Sequence, residues 1–97
     1  MTRKRLRWTR RALKRLDEIG EYISADNQSA AKRVITELIS KADLLVEFPE
    51  TGRVGRVEKT RELVFSNLPY IIVYQIIRDE IQIITIIHTS RKWPARF

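Results

Sequence analysis

The spacing of apolar residues changes several times along this chain, and each change marks a structural boundary. Arg5-Leu6-Arg7-Trp8 alternates charged and apolar side chains, the pattern of a strand with one buried face. Thr9 follows where a helix N-cap belongs, its hydroxyl available to the amides of the first turn. Behind it Ala12, Leu13, Leu16, Ile19, Tyr22 and Ile23 recur at three- and four-residue intervals, which predicts one apolar helical face. Asp26-Asn27-Gln28-Ser29 interrupts the stripe and offers a second cap. A longer stripe then runs through Ala31, Val34, Ile35, Leu38, Ile39, Ala42 and Leu45 until Pro49 forces the chain out of helical geometry.

Beyond Pro49 the helical period disappears. Residues 50–59 read Glu-Thr-Gly-Arg-Val-Gly-Arg-Val-Glu-Lys, a basic loop in which Gly52 and Gly55 permit tight turns. It lacks the preceding strand and the Gly-Lys-Ser/Thr ending of a nucleotide-binding phosphate loop. Two β-branched runs dominate the C-terminal third: Ile71, Ile72, Val73, Ile76 and Ile77, then Ile81, Ile83, Ile84, Ile86 and Ile87. Such density predicts strands buried on nearly both faces. The pattern therefore predicts strands near 3–8, 61–66, 70–77 and 81–88 and helices near 10–24 and 28–48. The expected architecture is α+β, in the order β-α-α-β-β-β, with a helical hairpin packed on one side of a small, mostly antiparallel sheet.

Composition narrows the class. Ninety-seven residues, 43% hydrophobic with three Gly and three Pro, fit one packed domain spanning 1–97. No apolar run approaches the roughly 20 residues of a membrane helix, and no signal-peptide core follows the basic start. With no Cys and one His, neither a disulfide framework nor a zinc site is expected. The reading is a cytoplasmic protein without cofactor or metal. The net charge of +7 is uneven: residues 17–50 hold eight acids against three bases, whereas residues 3–15 hold eight cations and no acid. Such asymmetry marks a surface for nucleic acid or for an acidic protein, and the N- and C-terminal cations meet if the chain ends share a sheet.

Few residues carry distinctive chemistry. His88, the single histidine, ends the last predicted strand. It reads either as a general base suited to RNA cleavage or as a strand-closing side chain bonded to a carbonyl. Arg61 and Arg91 suit charge stabilisation, since guanidinium stays protonated, with a salt bridge to a carboxylate such as Glu80 the alternative for Arg61. Tyr70 and Tyr74 share a strand face, as core aromatics or as stacking groups. Trp93, outside the strands, either covers a sheet edge or stacks on a ligand.

Taken together, these segments resemble the RelE/ParE superfamily of toxins from type II toxin–antitoxin (plasmid stabilisation) systems. The similarity spans nearly the whole chain. It includes Trp8-Thr9, Ile19-Gly20-Glu21-Tyr22-Ile23, Ala30-Ala31, Phe48-Pro49-Glu50-Thr51-Gly52-Arg53 and Thr60-Arg61-Glu62-Leu63. It continues through Pro69-Tyr70-Ile71-Ile72-Val73-Tyr74 and Ile87-His88-Thr89-Ser90-Arg91-Lys92-Trp93-Pro94. The resemblance implies the β-α-α-β-β-β fold and a cognate antitoxin that neutralises the toxin. RelE-like members cleave messenger RNA in the ribosome. Their strand arginine would fall at Ile71, which is apolar, and their terminal tyrosine near Phe97, which lacks a hydroxyl. ParE-like members trap DNA gyrase on cleaved DNA, and the present motifs look more like this branch. The expected target-binding set is Arg53, Arg56, Arg61, Tyr70, Tyr74, His88, Arg91, Lys92 and Trp93, with no catalytic residue. A ribosome-dependent endoribonuclease, the alternative, would use His88, Arg91 and Arg61; a further alternative is a non-enzymatic nucleic-acid-binding module.

Overall fold

A computed structural model describes residues 4–97. The chain runs β1 (Arg5–Trp8), α1 (Arg10–Ser24), α2 (Gln28–Asp43), a 3-10 turn (Leu44–Val46), β2 (Arg53–Val54), β3 (Arg61–Val64), β4 (Tyr70–Ile77) and β5 (Glu80–His88). The expected start of the first strand, Arg3, lies outside the described residues. The five strands form one sheet in the order β1-β5-β4-β3-β2. β1 joins β5 in parallel, and every other pairing is antiparallel. Both helices lie on one side, as the apolar stripes require.

Both predicted caps form. Thr9 Oγ accepts the Ala12 amide at 3.2 Å and donates to Ile83 O at 2.7 Å, so one hydroxyl starts α1 and fastens it to β5. Asn27 Oδ1 accepts the Ala30 amide at 3.0 Å. The buried stripes are narrower than the periodicity predicts: Ala12 and Ile19 are buried on α1, whereas Leu13 and Tyr22 are exposed. On α2, Ala31, Val34, Leu38 and Ala42 are buried, while Ile39 emerges at the edge of the contact.

Three boundaries differ from expectation. α2 ends at Asp43 rather than near 48, because the chain tightens into the 3-10 turn, which buries Leu45 and turns Val46 O toward the Lys4 amide at 3.2 Å. β3 stops at Val64, two residues short of Ser66. The basic loop contains a strand: Arg53 and Val54 pair with Glu62 and Arg61. A two-residue turn, Arg78-Asp79, joins β4 to β5, with Arg78 at φ 56°.

β4 and β5 slip register between Val73 and Tyr74. Tyr74 pairs with Ile83 and Val73 with Thr85, so Ile84 is an extra residue on β5. The bulge shifts the alternation by one, so that Ile81, Ile83, Ile86 and His88 all face the helices despite their irregular spacing. At the other end of β5, Glu80 accepts from Gln82 Nε2 at 2.7 Å and from Arg7 Nε at 3.1 Å, which holds its carboxyl below the usual range and pins β1.

Candidate functional site

The expected site residues fall into two groups on opposite sides of the sheet's centre. The first group gathers where β4 begins and β5 ends. Tyr70 and His88 are register partners, and their rings meet edge to face with centroids 5.3 Å apart. The chain then turns at once, Thr89 N–H donating to Pro69 O at 2.9 Å and Arg91 N–H to His88 O at 3.0 Å. Within this turn the Ser90 amide donates to His88 Nδ1 at 3.1 Å. A nitrogen that accepts an N–H must hold its lone pair there, so the neutral imidazole carries its proton on Nε2. Ser90 Oγ lies 2.8 Å from the same Nδ1.

α1 forms the facing wall. Together Arg15, Glu18, Ile19, Glu21, Tyr22, Tyr70, His88, Ser90 and Arg91 line an open groove of about 890 Å³. Arg15 bridges its walls, donating from Nε to Ile86 O at 3.1 Å and from Nη1 to Glu18 Oε1 at 2.7 Å. Burial raises the Tyr70 phenol above its ordinary value, opposed by the nearby Arg15 charge. Tyr22 stands on the rim, 81% exposed. The groove can hold a group that accepts hydrogen bonds, from His88 Nε2–H and the guanidinium of Arg91. Lys92 lies beyond the groove in a smaller cleft of about 210 Å³ that it shares with Arg11, Arg15 and Arg91.

The second group is occupied with structure. Glu62 is 1% exposed and receives Arg53 Nε at 2.9 Å, Arg53 Nη2 at 2.8 Å and the Arg56 amide at 2.8 Å, with Arg56 Nε at 3.5 Å. These bonds explain why a carboxylate tolerates burial here, and why the two-residue β2 exists. Arg61 donates from Nε to Gly52 O at 2.9 Å and from Nη2 to Glu50 O at 3.3 Å. It does not meet Glu80, because its register partner is Tyr74 whereas Glu80 pairs with Ile77 at the far end of β4. Tyr74 is wholly buried, its hydroxyl donating to Pro49 O at 2.7 Å and accepting the Gly52 amide at 2.8 Å. It therefore serves the fold and offers no surface to a target. Trp93 is half-buried, its ring beneath the Arg56 guanidinium at 3.9 Å.

So Tyr70, His88 and Arg91 come together in the groove, with Lys92 in the adjoining cleft, while Arg53, Arg56, Arg61 and Tyr74 build the opposite edge. Arg11, Arg15, Tyr22 and Ser90 were missed as site residues. Arg11 and Arg15 had a signal, being two residues four apart in an acid-free basic run. Among the described residues, no three His, Cys, Asp or Glu side chains gather as metal donors, and no helix is long and apolar enough to cross a membrane.

A helical hairpin on a five-stranded, mostly antiparallel sheet, with a groove of mixed charge where its central strands end, defines a toxin of the RelE/ParE superfamily. Residues 6–93 match the family model described as ParE toxin of type II toxin-antitoxin system, parDE, and the chain belongs to that family. It is 52% identical over 94 residues to "Putative toxin Y4kP" of Sinorhizobium fredii (strain NBRC 101917 / NGR234), covering 97% of each chain. It is also 39% identical over 84 residues to Toxin RelE2 of Caulobacter vibrioides (strain ATCC 19089 / CIP 103742 / CB 15), covering 87% of this chain and 93% of that one. Among solved structures, "Chromosomal ParDE TA system from P. aeruginosa" superposes with a TM-score of 0.80 at 26% identity, with 90% of this chain and 97% of that chain covered.

Proposed function

We propose that this toxin arrests growth by binding DNA gyrase and trapping it on cleaved DNA, and that an antitoxin neutralises it. The ParE family model supports the target class, and the ParDE system among its structural relatives supports an antitoxin partner. The observation that carries binding over catalysis is the Ser90 amide hydrogen bond to His88 Nδ1, which favours the tautomer with its proton on Nε2, so that the nitrogen left to meet a ligand is a donor. A donor cannot take the proton from a 2′-hydroxyl, which is the step a metal-independent ribonuclease needs. The site therefore grips through charge and hydrogen bonds.

Ribosome-dependent RNA cleavage is the second reading, favoured by the placing of His88 in one groove with Arg15 and Arg91 and by the relative named RelE2. There His88 would act as imidazolium, its Nδ1–H turned to Ser90 Oγ, giving its Nε2 proton to the leaving oxygen while the 2′-hydroxyl proton passes to water. Expression from a tightly controlled promoter separates the two. Induction of the DNA-damage response before protein synthesis falls is the expected result. Translation arrest arriving first, with cut messenger, would reverse the order of preference.

A further inference from the structure

The small cleft between α1 and the C-terminal segment has a composition that the toxin–target reading leaves unused. Arg11, Arg15, Arg91 and Lys92 line it together with Phe97 and the buried Thr85, and no Asp or Glu side chain belongs to its lining. Arg15 is partly neutralised by Glu18 at 2.7 Å, which leaves Arg11, Arg91 and Lys92 as the cations available to a ligand. In a protein with this much positive charge, three cations drawn from the two ends of the chain repel one another unless an anion joins them.

The cleft is shaped by a chain of contacts that crosses the sheet face away from the helices. It starts at buried Glu62, which fixes Arg56 through its amide at 2.8 Å. The Arg56 guanidinium lies 3.9 Å over Trp93, the Trp93 and Phe97 rings meet at 6.4 Å, and the Arg11 guanidinium lies 5.9 Å over Phe97. Between these anchors the last residues run as a strap, and the final backbone hydrogen bond among the described residues is that of the Arg91 amide. The strap brings Arg91 and Lys92 to Arg11.

We propose that this cleft is a binding site for the phosphodiester backbone of a nucleic acid, with Arg11, Arg91 and Lys92 as phosphate contacts and Arg56 and Trp93 as positioning residues. An acidic protein segment fits less well. Protein partners anchor through apolar side chains in a central pocket, and the apolar groups here are either part of the strap, as Phe97 and Pro94 are, or buried in β5, as Ile86 and Ile87 are. A polyanion with one charge on every repeat needs no such anchor. This inference rests on the chain being a toxin of this family only for its context, because the binding is a property of the isolated protein.

The test is fluorescence anisotropy of the purified chain with a labelled duplex DNA of about 20 base pairs, a single-stranded RNA of about 20 nucleotides and a polyglutamate peptide, from about 50 to 200 mM KCl. Three phosphate contacts predict that affinity falls about 40-fold over this range for duplex and about 20-fold for the single strand. The stronger of the two names the source. Arg11→Gln, Arg91→Gln and Lys92→Gln should each flatten the salt dependence by about one unit of slope, whereas Arg33→Gln on α2 leaves it unchanged. Trp93→Leu and Arg56→Ala remove no lining cation, yet each should weaken binding several-fold, and Arg56→Ala in a Trp8→Phe background should increase acrylamide quenching of Trp93. Polyglutamate binding as tightly, no binding to either nucleic acid, or slopes indifferent to Arg11 and Arg91 would each overturn the proposal. The gyrase reading is measured separately by enzyme-linked DNA breaks, so it survives or fails independently.

Discussion

At the scale of single residues, Tyr74 shows how a candidate contact becomes a structural one. Its ring is buried under the helical hairpin while its hydroxyl bonds Pro49 O and the Gly52 amide, joining the loop before β2 to the centre of the sheet. Burial raises its pKa above the ordinary value of 10.0, against the opposing pull of the Gly52 hydrogen bond and Arg61. The folded phenol therefore keeps its proton where the unfolded one loses it. The stability this contributes is complete below about pH 10 and is lost as pH rises through the folded value. Urea unfolding between about pH 9 and 11.5 should show a falling midpoint, with a shallower decline in Tyr74→Phe. That variant starts lower at neutral pH, by about 1–3 kcal/mol, because a buried amide and carbonyl lose their partner. Equal alkaline slopes in the two proteins would remove Tyr74 from the account. Nothing in the sequence separated Tyr74 from Tyr70; only the partners around each hydroxyl do so.

At the scale of elements, the legible parts were those with a strong local pattern. The two helices follow from periodic apolar positions, β4 and β5 from dense β-branched runs, and the helix starts from the capping chemistry of Thr9 and of the segment 26–29. The bulge at Ile84 was invisible because the isoleucines of β5 are interchangeable by type, and only pairing reveals which one has no partner. β2 was invisible for another reason: two residues have no period, and this pair exists because Glu62 gathers Arg53 and Arg56 from a distance in sequence. Gly52 makes that docking possible. A β-carbon there would sit 2.6 Å from Tyr74 Oη and 2.9 Å from Glu62 O, closer than either atom allows. Gly52→Ala should therefore cost about 2 kcal/mol by overpacking. The measurement is the urea midpoint, together with faster amide exchange at Val54. Full stability in Gly52→Ala would mean that β2 is not tightly seated.

At the scale of the whole molecule, the sequence located the cations but not their partners. The N- and C-terminal charges do meet, as expected, yet through α1 rather than β1: Arg11 and Arg15 approach Arg91 and Lys92, while Arg5 and Arg7 turn to Asp79 and Glu80. Arg53, Arg56 and Arg61, of equal standing in the sequence, are committed to Glu62 and to backbone carbonyls. A toxin that acts by binding should then lose potency gradually as cations are removed around the groove. Arg91→Ala should weaken growth arrest about fivefold or less, since an exposed charge contributes about 1 kcal/mol or less to a protein contact. His88→Gln should retain most of the toxicity, because the glutamine amide can still donate into the groove. Proton transfer would behave differently, with His88→Gln costing roughly 10²–10⁴-fold in rate. The decisive comparison assays both variants for growth arrest, gyrase-linked DNA breaks and messenger cleavage on ribosomes, with circular dichroism to establish folding. Graded loss accompanied by DNA breaks is the expected outcome; abrupt loss in folded His88→Gln, with messenger cleavage by the parent protein, would make the groove an active site.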